Sequence, residues 1–474
     1  MFHTFALGAV LTASVVLAAP SVATPPQDPP IEADQPAALP PDAVAVAEGL
    51  APVTVAELDE TLLWRHALTQ PGRAALRQLL EVRVLDALAA EKGVTVTPAD
   101  LNARFMQLDA EARQSGETEG LEAFIVEQGV DREQFREYLR LAIVHERLTR
   151  EALGLDKDAV VTAAQQDAWL RGALEARPYS EEPFPYTDGV VARSGDVAIA
   201  RDDYLQHIRG QMENEVLRET CYLMLLERAV RRRLPDLSDE GVVRALDAEL
   251  GRRRVEAGDD PRYQGVTYEQ LLEAKGLSLD ALRRDPAIRS AALAHMFVDR
   301  SQDEAALRAT YEAERDFFDG LYGMGVEVRA MMLNATERPN EILRRSFEEA
   351  DARLNELKRQ IETAADFERI AKEVSDDRAT RERGGLLGTI TRGNVQLPAA
   401  LRTPIFEHLD SHEGDVSNTI LGPLRLPGGS VLVMLGARRP APTWEGMREN
   451  VHRELRRRFL EECLPRNVVH TAFD

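Results

Sequence analysis

Cysteine is almost missing: the chain has two, Cys221 and Cys463, in 474 residues. So few thiols exclude a disulfide scaffold, and both lie in helical patterns where buried thiols act as small apolar groups. Beyond the first twenty-odd residues no stretch approaches the ~20 consecutive apolar residues of a membrane helix. Basic charge is also short, with 58 Lys and Arg against 80 Asp and Glu, a formal net charge of −22. Such a surface repels phosphate backbones and argues against nucleic acid as the main partner. The three arginine runs, Arg231–Arg233, Arg252–Arg254 and Arg456–Arg458, read as solvated helix faces.

What is present is a globular composition, 44% hydrophobic and 29% charged. Its length exceeds one ordinary core and predicts about two to four domains. An apolar run from Phe5 to Ala19, followed by Ser21-Val22-Ala23, reads as a cleaved signal peptide over residues 1–23. No Lys or Arg precedes the run, and an uncleaved anchor is the alternative, which would hold the chain near a membrane. No Cys follows it, so lipoprotein anchoring has no support. Residues 24–42 are proline-rich and aperiodic, an extended tether. These features together predict export and a periplasmic or otherwise extracytoplasmic location.

The body repeats one grammar twice. Val44–Leu63 gives a strand, a turn and a helix start at Thr54, and Gly189–Ile208 gives the same order. A longer helix follows each, with Leu76, Leu79, Leu80, Val84 and Leu88 at helical spacing in one and Leu217, Leu223, Leu226 and Val230 in the other. Capping signals come next at Thr97-Pro98 and Leu237-Ser238. Each copy closes on a helical pair hinged at Gly129 or Gly276, and the second carries an insertion, Ala257–Gly265. Two unrelated hairpins are the alternative to a repeat. The expected domains are 43–155 and 188–318, joined by 156–187, a helix that gives way to a Pro-rich linker.

From Val326 the grammar changes. Val326–Leu333 reads as a strand, and a long amphipathic helix is expected after Pro339. Then come Phe367, Ile370, Ala371, Ser375, Asp376 and Asp377, six residues, Gly384, Gly385, Leu387 and Gly388, then Arg392 and Gly393. Gly414-Asp415-Val416-Ser417 and Gly422-Pro423 precede a last hairpin. No Gly-Lys-Ser/Thr follows the double glycine, so a phosphate loop is excluded.

These spacings resemble the parvulin (PpiC-type) peptidyl-prolyl isomerase domain over residues 322–440. The repeat grammar over 44–152, and less closely over 189–300, resembles the N-terminal chaperone domain of SurA and related foldases of the SurA/PrsA type. The resemblance implies a mainly α chain with one small α+β domain, a four-stranded sheet with flanking helices. It also implies that the terminal helix within 441–474 packs back on the N-terminal domain.

An isomerase must lower a barrier of ~18–20 kcal/mol by desolvating the X–Pro amide in an apolar pocket and stabilising its twisted form with polar groups. In the family two histidines flank a Cys or Asp. Asp377 stands at that acidic position, but the first-strand histidine falls within Ala330-Met331-Met332 and the last-strand one on Val431. The proline pocket would draw on Val395, Leu397, Leu401 and Phe406. The resemblance therefore implies a folding chaperone for unfolded or nascent exported polypeptides, with weak or lost isomerase activity. An active isomerase and an envelope-assembly scaffold are the alternatives. No cofactor and no metal are expected; His408 and His412, in a loop-like stretch, lack a third ligand.

Overall fold

The structure, a computed structural model, describes residues 39–474 apart from 116–119, 128–131, 158, 261–262, 264 and 338–344. The expected signal peptide, nearly all of the tether, Gly129, Pro339 and part of the 257–265 insertion lie outside the described residues. The described chain forms two compact units, residues 39–293 with 463–474, and residues 294–462.

The larger unit opens with β1 (Ala43–Val46), β2 (Val53–Thr54), α1 (Val55–His66), α2 (Gln70–Lys92) and α3 (Pro98–Ser115). It continues through α4 (Leu121–Glu127), α5 (Arg132–Ala152) and α6 (Ala163–Glu175). After β3 (Tyr179–Glu181), β4 (Val190–Ser194), β5 (Val197–Ala200), α7 (Arg201–Gly210), α8 (Asn214–Arg232) and α9 (Asp239–Asp259) repeat the opening order. Helices α10 (Tyr268–Ala274) and α11 (Leu279–Arg284) follow, and α12 (Pro286–Ser301) starts in this unit and ends in the smaller one, to which its residues from Ala294 onward belong. Local chemistry sets these starts: Thr54 caps α1 with Glu57 in a capping box, and Ser238 caps α9.

Three expectations need correction. The two copies are not separate domains: α1 and α2 pack on α7, where Arg209 pairs with Asp59 at 2.8 Å and the Tyr204 hydroxyl donates to Gly72 O at 2.9 Å. Both copies belong to one compact unit. The 156–187 linker is also structural, because β3 extends the β3-β4-β5 sheet and Tyr186 is buried. Finally, the last helix of the second copy is split, because Pro286 cannot continue α11. Asp285 takes extended backbone before it and accepts from Ala287 N, restarting the chain as α12.

The arginine runs are largely neutralised in place. Arg252 and Arg253 reach Glu249, and Arg457 and Arg458 reach Glu454. Cys221 is buried, which pushes its thiol up to about 12, consistent with an inert apolar role.

The smaller unit holds α13 (Glu304–Ala313), α14 (Arg315–Tyr322), β6 (Gly325–Asn334), α15 (Phe347–Lys358), α16 (Ala364–Val374) and α17 (Arg378–Arg381). Then come β7 (Leu386–Thr391), α18 (Ala399–Ser411), β8 (Ile420–Leu426), β9 (Gly429–Arg439) and α19 (Trp444–Cys463). The expected helix after Pro339 begins only at Phe347, because Ser346 and Glu349 form a capping box there. The four strands form an antiparallel sheet in the order β7-β6-β9-β8.

The chain end divides its labour. Met447 and Val451 of α19 pack with Leu307 and Phe318 in the smaller unit. The residues after the helix make the return to the N-terminal sheet, where β10 (His470–Thr471) pairs with β1 and Arg466 holds Glu219.

Candidate functional site

Successive strand residues face opposite sides, so the sheet of the smaller unit has two apolar faces. Val326, Val328 and Ala330 of β6 join Val431, Val433 and Leu435 of β9 in a core beneath α18, with Met332 packed against it. Met331, Leu333, Leu432 and Met434 face the other way, onto α15 and α16. Of the first-strand candidates, Met332 lies directly opposite Val431 and shares its face, whereas Met331 is fully buried on the far side. Facing side chains on neighbouring strands are ~5 Å apart. Where the resemblance calls for two histidines there is thus a thioether against an isopropyl group, with no hydrogen-bond donor in either.

Leu397, Leu401 and Phe406 lie on the same face and are 8%, 4% and 3% exposed, so nearly all their surface is already committed to the core. Val395 does not join them: it is 63% exposed. The Asn394 side chain accepts from Gln396 N at 3.0 Å, and this turn aims Val395 outward before Leu397 turns in.

Asp377 is half-buried, and both carboxylate oxygens are used locally. One accepts from Ala379 N at 3.1 Å and the other from Thr380 Oγ1 at 2.5 Å, making Asp377 the N-cap of α17. The neighbouring motif residues serve the edge of β6. Ser375 Oγ accepts from Met332 N at 3.3 Å, Asp376 N donates to Met332 O at 2.8 Å, and the Asp376 carboxylate accepts from Asn334 N at 2.9 Å and pairs with Arg345. Gly385 O accepts from Ala330 N at 2.8 Å. Gly385 has φ +78°, and a Cβ there would lie 2.3 Å from Ala330 O. Gly393 similarly abuts Gly320, its N–H donating to Gly320 O at 2.6 Å. The signature spacing therefore answers a backbone problem: β7 pairs with β6 only as far as Arg329, and the Ser375–Gly385 loop satisfies the groups beyond it.

His408 lies within α18 rather than in a loop, and His412 is its C-cap; their rings stack at 4.0 Å. Burial, with His412 and Arg438 nearby, lowers the His408 pKa.

Sequence reasoning missed an open groove of about 580 Å³ in the larger unit. Trp64, Met224, Ala281 and Pro286 supply apolar lining. Its charged walls are paired among themselves: Arg65 grips Asp285 bidentately, Arg228 holds Glu57, and Arg289 holds Glu227. Trp64 is fixed by its indole N–H to Glu60 at 2.8 Å, by Phe184 edge-on at 4.7 Å and by Arg284 over its face at 4.3 Å. Trp64 and Arg284 are 220 residues apart in the chain, so no local pattern announces the groove.

Residues 332–433 match the family model described as Rotamase, PPIC-type PPIASE domain. Foldase protein PrsA of Clostridium botulinum strain Langeland is 25% identical over 141 residues, 28% of this chain and 38% of that protein. The same protein of strain Hall is 20% identical over 241 residues, 48% of this chain and 62% of that one. The chain thus spans less than two thirds of these curated relatives. Among solved structures, the peptidylprolyl isomerase PrsA of Bacillus anthracis is 16% identical, covering 50% of this chain and 88% of its own, with TM-score 0.24. A structure reported for two SurA-like chaperones of Campylobacter jejuni is 19% identical, covering 46% and 74%, with TM-score 0.23. The chain is accordingly similar to PrsA foldases, and its residues 332–433 match the PPIC-type PPIASE domain.

Proposed function

We propose that this chain is an extracytoplasmic foldase that binds non-native exported polypeptides and whose parvulin-like domain is a weak isomerase or none. The observation that carries the reading is the Met332–Val431 pair, an apolar contact at the two positions where an isomerase needs polar side chains. Asp377 adds to it, since a carboxylate that caps a helix with both oxygens is not free to stabilise a twisted amide. Leu397, Leu401 and Phe406 are spent on the core and leave little apolar surface for a proline ring. Export fits the N-terminal apolar run, and a polypeptide client fits the Trp64 groove, whose fixed aromatic wall suits an extended chain's side chains.

The test measures two activities of the full chain side by side. Suppression of the aggregation of a denatured model protein should be present and should weaken when Trp64→Ala removes the groove's aromatic wall. Isomerisation of a proline tetrapeptide should stay near the uncatalysed rate. Strong isomerisation without aggregation suppression would reverse the assignment.

A further inference from the structure

Helix α12 carries His295 and Asp299 four residues apart, so both lie on one face of that helix. Helix α19 brings His452 against them, the two helices being locked nearby by Phe297 stacked on Phe459 at 4.0 Å. His295 and His452 are 9% and 7% exposed, while the Asp299 side chain is 56% exposed. His452 Nε2 is 2.9 Å from Asp299 Oδ1, and His295 Nε2 is 4.0 Å from Asp299 Oδ2. One ligand atom from each of the three residues lies within 4.8 Å of the others. His452 Nδ1 is buried and has no hydrogen-bond partner among the described residues.

We propose that His295, Asp299 and His452 form a binding site for one divalent transition-metal ion of the zinc class. Two imidazole nitrogens and a carboxylate oxygen are the donor set such ions take, and the open side of Asp299 leaves a fourth position for water. Tetrahedral ligands on bonds of 2.0–2.1 Å sit roughly 3.3 Å apart. The 2.9 and 4.0 Å separations bracket that value, so side-chain shifts on the order of 1 Å close the site.

Arg456 is the built-in competitor. Its Nη1 lies 2.7 Å from His295 Nδ1. A guanidinium only donates, so Nδ1 accepts and the His295 proton sits on Nε2. Metal binding at Nε2 moves that proton to Nδ1, and Arg456 has to turn away, both because its partner has become a donor and because it repels the cation. Metal binding and the Arg456–His295 bond therefore exclude each other. The site is absent from any sequence pattern because His452 lies 153 residues from Asp299.

The experiment titrates zinc chloride into the untagged full chain by calorimetry, with circular dichroism confirming that each variant is folded. One equivalent should bind. Asp299→Asn, a change at an open side chain, should weaken binding at least about tenfold. Arg456→Gln should tighten it by about tenfold, since the glutamine carbonyl can accept from Nδ1–H as a metal-bound histidine requires. The double variant His408→Ala, His412→Ala should leave binding unchanged. Absence of binding heat, loss of binding in the His408/His412 double variant, or Arg456→Gln that fails to tighten binding would overturn the proposal.

Discussion

Replacing Gly385 by alanine tests whether the double glycine is there for the backbone of β6. Two costs add at this position. A non-glycine residue held at φ +78° is strained by about 1–2 kcal/mol. The new Cβ would also stand 2.3 Å from Ala330 O, so the loop must shift and the Ala330 N–H to Gly385 O bond is lost or bent, about 0.5–1.5 kcal/mol. The expected destabilisation is about 2–3 kcal/mol. Gly388 supplies the control: its φ is +99°, yet nothing lies within 4 Å of a Cβ there, so Gly388→Ala should cost only the conformational share. The gain from a stiffer unfolded chain is common to both and cancels. Native-state amide exchange of peptides from β6 and β9 in the full chain reads the opening free energy directly. If Gly385→Ala opened no more easily than Gly388→Ala, the close-approach argument would be wrong.

Asp377→Ala should cost about 1 kcal/mol, measured by exchange at α17, because it removes an N-cap. Burial, with the Arg65 charge beside it, lowers the His66 pKa to about 4. The unfolded chain then binds more protons between pH 6.5 and 4, so stability of the larger unit falls as pH drops through that window, by up to about 3 kcal/mol. Denaturant melts across that range should show the slope, and His66→Gln should flatten it. Deleting residues 465–474 removes β10 and the Arg466–Glu219 pair, which should speed exchange in β1 by about 1–3 kcal/mol and leave the 325–439 peptides unchanged.

The element order of both copies, and the four-stranded sheet of the smaller unit, are legible because strand alternation, capping residues and glycine positions are local signals. Thr54, Ser238 and the Ser375–Gly385 spacing each carry their geometry in a few residues. What escaped needed distant partners. Nothing local in residues 178–187 says that Tyr179–Glu181 will pair with β4, or that Tyr186 will be buried. The family resemblance puts Val395 at the proline pocket, yet one asparagine-capped turn sends it to solvent. The choice between Met331 and Met332 was undecidable in sequence, since a shift of one residue reverses every strand side chain. The His295–Asp299–His452 cluster and the Trp64 groove join residues more than 150 positions apart, and only the fold brings them together.

The central claim is that apolar packing has replaced the polar isomerase cluster. The direct measurement is the kcat/KM of the full chain on a proline tetrapeptide, with and without Asp377→Ala. Each hydrogen bond missing from a desolvated site is worth about 1–3 kcal/mol, so activity should lie at least about tenfold to a hundredfold below that of a domain with both histidines. Asp377→Ala should not lower it further. Undiminished turnover that Asp377→Ala abolishes would contradict the account and restore Asp377 as a catalytic group.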